Sequence, residues 1–224
     1  MYQKSAGLVK TIEKIDARRK KDKGPDKGGE TRWLYGTGFA CMLQGISNGA
    51  EGIDVVGASV QAGQDGSVIV GAGLCEMSQG SRTVFARIAA EVLGVTMDRV
   101  AVKQVDTDSV HDSGPTIASR STTVGGMAVF KAAGEVKKSL VKMASLMFKC
   151  KEDRVILEDN FAVLKSDSKA RIPIREVATA AYWTGFPLMN LYFSRAPDSD
   201  YDHDTHQGNI YIAYNFVTGI VSWQ

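Results

Sequence analysis

Apolar and polar positions change their period several times along the chain, and each change marks an element. Leu8, Ile12 and Ile15 share one face of a short helical pattern that ends in Arg18-Arg19-Lys20-Lys21. The stretch Lys23-Gly24-Pro25-Asp26-Lys27-Gly28-Gly29 then has the composition of a loop. From Trp33 the texture becomes strand-like, with aromatic and small residues over Leu34 to Met42 and an apolar run from Ile53 to Val60. Gly63-Gln64-Asp65-Gly66 is a hairpin signal, which predicts that Ser67 to Gly73 returns as a second strand. Val84, Phe85, Ile88, Ala89, Val92 and Leu93 form an apolar stripe at helical spacing, and Gly94 is placed to stop that helix. Val100, Val102 and Val105 alternate with polar residues as a strand, followed by a polar loop from Asp106 to Pro115.

Ser121 to about Lys149 reads as a long helix with Val124, Ala128, Val136, Leu140, Met143 and Met147 inward. The Gly125-Gly126 pair near its start marks a weak point or the close approach of a backbone or ligand. A short hairpin is expected around Glu158-Asp159-Asn160, a helix from Ile174 to Tyr182 after Pro173, and a final strand from Asn209 to Trp223. A closing strand of this kind needs a partner, a continuation or another subunit to cover it. The expected fold class is α+β, with mixed and antiparallel strands and packed helices. Residues 1–30 form a charged N-terminal helix and linker, and 31–224 the domain proper.

Composition narrows the classes. The 224 residues suffice for one large domain or two small ones. A hydrophobic content of 44% and a net charge of +2 describe an ordinary globular protein without a polyanionic partner. The basic run Arg18 to Lys21 lacks aromatic interleaving, so it reads as a solvated helix end and not as a nucleic-acid site. Cys41, Cys75 and Cys150 are odd in number and far apart, which gives neither a disulfide framework nor iron–sulfur ligand spacing and favours a reducing cytoplasm. The start lacks an apolar signal core, and no run approaches the roughly 18 apolar residues of a membrane span. Cys75 reads as a small buried hydrophobe in preference to a reactive thiol.

Two segments carry candidate chemistry. In Leu74-Cys75-Glu76-Met77-Ser78-Gln79-Gly80, a strand yields to a helix whose first N–H groups, at Ser81, Arg82 and Thr83, would face a ligand with the positive end of the helix dipole. Gln79 can both donate and accept, as recognition of a heterocycle requires. The ordinary alternative is Ser78 as N-cap with Gln79 exposed. In Ser113-Gly114-Pro115-Thr116-Ile117-Ala118-Ser119-Arg120-Ser121, small side chains let the main chain approach a ligand, and Thr116, Ser119 and Ser121 add hydroxyls. Here the alternative is a Ser/Thr-rich loop that caps the long helix. Asp200-Tyr201-Asp202-His203-Asp204-Thr205-His206 has metal-like composition without zinc or calcium spacing and reads as a polar surface loop. Asp106, His111 and Ser113 share one loop with no nucleophile elbow and do not make a convincing triad.

In order, the chain has a Gly-rich strand, the Glu76-Met77-Ser78-Gln79-Gly80 turn, and the helix segment Ile88-Ala89-Ala90-Glu91-Val92-Leu93-Gly94-Val95. A strand ending in Asp106-Thr107-Asp108, the Thr116–Arg120 turn and Gly126-Met127-Ala128-Val129 complete the series. This series resembles the molybdopterin-binding subunit of the xanthine dehydrogenase / aldehyde oxidoreductase family of molybdenum hydroxylases, most clearly from Gly36 to Ala133. It is similar to the split subunit of nicotinate dehydrogenase. The resemblance implies that 31–224 is part of a molybdenum-cofactor-binding domain, apparently truncated at its C-terminus. It implies that Gln79 and Gly80 contact a molybdopterin cofactor, whose mono- or dinucleotide form stays open. Ala118 would line the metal centre by its backbone, Thr116, Ser119 and Ser121 would hold the pterin and its phosphate-bearing tail, and Ile117 and Ala118 would border the substrate pocket. No side chain would ligate the metal directly. Ser78 departs from the family's usual glycine, and Ile117 from its usual alanine or tyrosine.

The activity so implied is oxidation of an N-heteroaromatic compound, purine-like or nicotinate-like, or of an aldehyde, with water as oxygen donor. The implied partners are another chain of the molybdopterin domain and subunits carrying iron–sulfur clusters and FAD. The family's catalytic carboxylate lies in a Gly-x-Gly-Glu motif that does not occur in this sequence. No catalytic residue is therefore assigned to this chain, and the isolated chain is expected to be inactive. A scaffold or assembly protein that kept the fold without a working site is the competing expectation.

Overall fold

The computed structural model describes residues 8–21, 36–45, 54–196, 202, 204–205 and 214–223. The basic-ended segment forms helix α1 (Leu8–Lys21), with Ile15 buried. Strand β1 (Gly36–Gly45) follows, then the hairpin β2 (Val55–Ala62) and β3 (Val68–Ala72). Helix α2 (Ser81–Leu93) leads to the short strand β4 (Val100–Val102). A π-helical turn (Ser121–Gly125) opens the long helix α3 (Gly126–Phe148). Strands β5 (Val155–Glu158), β6 (Phe161–Leu164) and β7 (Asp167–Pro173) precede helix α4 (Ile174–Trp183), and β8 (Met189–Arg195) and β9 (Tyr214–Trp223) complete the set.

The chain forms two compact units. In the smaller, Met1–Ile46 with Ile212–Gln224, β9 has the partner its sequence demands: it pairs antiparallel with β1 from Gly36↔Trp223 to Gly45↔Tyr214. The larger unit, Ser47–Tyr211, contains a four-stranded sheet in the order β4-β3-β2-β8 and a three-stranded antiparallel sheet β5-β6-β7.

Local chemistry fixes the turns. Gly66 takes φ 82 at the β2–β3 turn, and Asp65 Oδ1 accepts the Ser67 N–H at 3.0 Å and its hydroxyl at 2.7 Å. Asp159 and Asn160 both have positive φ, the conformation of a two-residue type I′ hairpin, as Glu158-Asp159-Asn160 predicts. Gly94 stops α2 at φ 65 with its N–H on Ala90 O; a Cβ there would lie 2.2 Å from the Leu157 backbone, so only glycine fits. β3 pairs with β4 in parallel, with α2 as the crossover, so the sheet is mixed.

One sheet face carries the core. Val56, Ala58 and Val60 of β2 and Val68 and Val70 of β3 are buried in one cluster with Phe85, Ala89 and Leu93 of α2 and Ala128, Val136 and Leu140 of α3. The Gly125-Gly126 pair is a close-packing point, where side chains and not another backbone are the nearest protein neighbours. A Cβ on Gly125 would meet Leu74 Cδ1 at 2.5 Å, and one on Gly126 would meet Ile88 Cδ1 at 3.0 Å. β8 inverts the usual pattern. Register places Asn190, Tyr192 and Ser194 beside core-facing Val60, Ala58 and Val56, while Met189, Leu191 and Phe193 lie on the opposite face and are exposed. Among the described residues no helix is long and apolar enough to cross a membrane.

Candidate cofactor-binding site

The chain leaves β3 and reaches α2 through residues 73–80. Gly73 is required at the start: a Cβ there would come within 2.2 Å of His111 O. Its N–H donates to Ser113 Oγ at 3.1 Å, and that hydroxyl donates onward to Gly57 O at 2.8 Å. Two residues further, the Cys75 N–H donates to Thr116 Oγ1 at 2.7 Å. The two segments singled out in the sequence are therefore neighbours.

Within the turn, two side chains do the holding. Gln79 is exposed, yet its Nε2 donates to Cys75 O at 2.8 Å and its Oε1 accepts the Met77 N–H. Glu76 Oε1 accepts the Gly80 N–H at 2.9 Å, while Oε2 accepts the Arg82 N–H at 3.1 Å and the Ser81 hydroxyl at 3.2 Å. The carboxylate thus occupies the positive end of α2. The N–H groups of Gly80 and Arg82 hold the Glu76 carboxyl below the usual glutamate range. Two expectations are corrected by this geometry. Ser78 is not the N-cap, because Gly80 takes that position at φ 78, and the Arg82 N–H does not stand open to a ligand. Ser78 itself lies at φ 72, a conformation that favours glycine.

The second segment is anchored from behind by a residue that the sequence reading did not single out. Arg120 is 1% exposed, and its Nε meets Asp54 Oδ1 at 2.6 Å. Its Nη1 donates to Ser113 O and Pro115 O, both at 2.7 Å, and Nη2 donates to Val55 O at 2.7 Å. The guanidinium ties the loop to the start of β2. Ahead of it, Ala118 and Ser119 have φ 49 and 56, each costing an L-residue about 1–2 kcal/mol. Backbone held in this region by its surroundings is a recurrent feature of ligand sites.

Gln79, Ile117, Ala118 and Ser119 are exposed, Gly80 and Thr116 are half-buried, and Ser121 is buried at the start of the π turn. Gly80 borders open space, since a Cβ there meets nothing within 4 Å. Exposed main chain, small side chains and hydroxyls suit a flat heterocycle rich in donors and acceptors, such as a pterin. A phosphate fits the α2 N-terminus poorly while Glu76 holds it.

The remaining candidates resolve simply. Cys75 is exposed, contrary to expectation, because it lies past the strand end in the turn. Ser113 is a buried clamp between Gly73 and Gly57, not a nucleophile. Asp202 Oδ1 accepts the N–H groups of Asp204 and Thr205; His203 and His206 lie outside the described residues. Among the described residues no group of three or more His, Cys, Asp or Glu could hold a metal. A cleft of about 330 Å³ at the β2–β3 turn, lined by Asp65, Arg99, Phe161 and Arg175, involves no residue of the 73–80 turn or the 113–121 loop.

Residues 9–222 match the family described as molybdopterin cofactor-binding domain. The chain belongs to that family. It is 33% identical over 172 residues to the nicotine 6-hydroxylase large subunit of Paenarthrobacter nicotinovorans, which covers 73% of this chain and 21% of that subunit. It is 28% identical over 172 residues to xanthine dehydrogenase 2 of Arabidopsis thaliana, covering 77% of this chain and 11% of the enzyme. Among solved structures, CO dehydrogenase from Oligotropha carboxidovorans superposes with a TM-score of 0.71 at 22% identity, over 99% of this chain and 27% of that one. Quinoline 2-oxidoreductase from Pseudomonas putida 86 gives 0.66 at 19% identity, over 98% and 27%. These likenesses establish the fold of a molybdopterin cofactor-binding domain. The chain spans about a fifth of the nicotine 6-hydroxylase large subunit.

Proposed function

We propose that this molybdopterin-binding domain serves a molybdenum hydroxylase, as the part of the cofactor cradle built from the Gln79 turn and the Thr116–Ser121 loop. One observation carries the reading. The Cys75 N–H bond to Thr116 joins the two segments that the family resemblance assigns to the cofactor. When bound, the cofactor supplies metal-centred oxidation chemistry with water as the oxygen source; the protein supplies placement and electrostatics.

Each residue has a stated task. Gln79 turns its amide from the Cys75 carbonyl and Met77 N–H to the cofactor, and Gly80 leaves room for that approach. Thr116, its oxygen engaged by Cys75, can still donate its hydroxyl proton. Ala118 and Ser119 offer main chain and a hydroxyl, Ser121 completes the loop, and Ile117 with Ala118 borders the substrate. Glu76 is a poor proton acceptor, since three donors stabilise its charged form. The base that activates water is accordingly assigned outside this chain, and the chain alone does not turn over.

The substrate class is an N-heteroaromatic compound, a reading supported by relatives named for nicotine and quinoline; an aldehyde is the next choice. The proposed assembly is cytoplasmic and contains a further chain of the molybdopterin domain, an iron–sulfur subunit and an FAD subunit, with residues 31–224 as this chain's share of the domain. Purification of the complex from its native host, followed by elemental analysis for molybdenum and pterin fluorescence, tests the proposal. Stoichiometric metal and pterin are expected. A stable complex devoid of both supports the scaffold reading, which the self-engaged Gln79 amide favours.

A further inference from the structure

Gln79 spends one N–H and one oxygen lone pair of its amide on its own turn. Both ends of its amide are engaged within residues 75–79, and turning the amide outward as a whole gives up the bonds to Cys75 O and Met77 N. What then holds the turn is the Glu76 carboxylate, with bonds to Gly80, Ser81 and Arg82 that do not involve Gln79, and the Cys75–Thr116 bond beside it. The strained φ of Ser78 makes this support necessary, because a turn with a non-glycine residue there relaxes once its ties are cut. We infer that Glu76 is a positioning residue for the cofactor cradle: it keeps the turn formed while Gln79 exchanges its internal bonds for bonds to the ligand. The inference rests on the cofactor reading proposed above.

The surroundings make Glu76 separable from the fold. It is exposed, and its low pKa arises from the Gly80 and Arg82 N–H groups first, without a charged side chain among the causes. Its titratable neighbours in the turn and on α2 are the Cys75 thiol, next in the chain, and Arg82. The Arg82 guanidinium is directed to Val102 O at 2.6 Å and Gln104 Oε1 at 3.5 Å. Protonation of Glu76 removes an acceptor from the Gly80 and Arg82 N–H groups, so its support is present at neutral pH and lost in acid.

The experiment uses the full chain co-expressed with its native partner subunits. Molybdenum by elemental analysis and pterin by fluorescence are measured in wild type, Glu76→Ala and Glu76→Gln after dialysis from neutral to acidic pH, with circular dichroism as the fold control. Glu76→Ala is expected to lower both contents by about tenfold at neutral pH, the scale of a lost supporting partner at a metal site. Glu76→Gln, which keeps size and one acceptor, is expected to retain an intermediate content without the acid-side decline of wild type. Folded variants that hold metal and pterin within about twofold of wild type at every pH overturn this inference alone, because the supporting-partner loss is then missing. If Glu76→Ala does not fold, a Glu76→Gln profile that coincides with wild type overturns it equally. A wild-type complex lacking both overturns the cofactor reading, and this inference with it.

Discussion

The Cys75 N–H donates to Thr116 Oγ1 at 2.7 Å, although 41 residues separate them in the chain. The bond links a turn that follows β3 to a loop that precedes α3. Replacing Thr116 by valine keeps the shape and removes the acceptor. A loss of about 1 kcal/mol is expected from the unmet N–H, with Thr116→Ser close to wild type. Urea unfolding midpoints decide it; equal midpoints for the two variants would show that the bond contributes nothing.

Arg120 and Asp54 form the deepest charged contact among the described residues. Arg120→Met leaves the buried carboxylate without its guanidinium and frees the Ser113, Pro115 and Val55 carbonyls. The expected cost is about 3–5 kcal/mol. The double variant Asp54→Asn/Arg120→Met should recover part of it, since the buried carboxylate charge is then absent. Additive losses in a denaturant double-mutant cycle would contradict the pairing.

Ser78 holds a positive φ without the freedom of glycine. Ser78→Gly is expected to stabilise the fold by about 1 kcal/mol, and Ser78→Val to destabilise it. Calorimetric melting temperatures should move in opposite directions. A fall in both would mean that the Ser78 side chain makes a contact worth more than the strain.

Stability should depend on pH in a signed way. Glu76 is depressed in the folded state, first by the Gly80 N–H; Asp65 is depressed by the Ser67 hydroxyl and Asp98 by the Thr96 hydroxyl. A carboxyl with a lowered folded pKa contributes stability that is full above its unfolded pKa and disappears as pH falls through the folded one. Unfolding free energy should therefore decline on the acid side of the ordinary carboxylate range. Glu76→Gln should flatten that decline in part, with Asp65 and Asp98 carrying the rest. An unchanged acid slope would remove Glu76 from the account.

Much of this was legible because it is local. The Gly63–Gly66 and Asp159-Asn160 turns, the α2 stripe and the Gly94 stop each depend on a few consecutive residues, and each is where the sequence predicts. The Ser113 clamp and the Asp54–Arg120 pair join positions 56 and 66 residues apart, and no periodicity announces them. Burying an arginine also runs against what composition leads one to expect. β7 and β8 were not anticipated. β8 turns Asn190 and Ser194 toward the helices and its apolar residues away, so its alternation points to the wrong face. The capping role of Glu76 was hidden for a different reason: its carboxylate reaches forward across a turn, whereas Ser78 has the residue type that usually caps.

That inverted strand governs how the protein can be handled. Among the described residues β8 ends the order of its sheet, and it carries Met189, Leu191 and Phe193 into solvent along one side. A sheet edge lined with apolar side chains is a template for adding strands from other molecules. Concentrated solutions of the chain are accordingly expected to self-associate through that edge, which light scattering against concentration would detect.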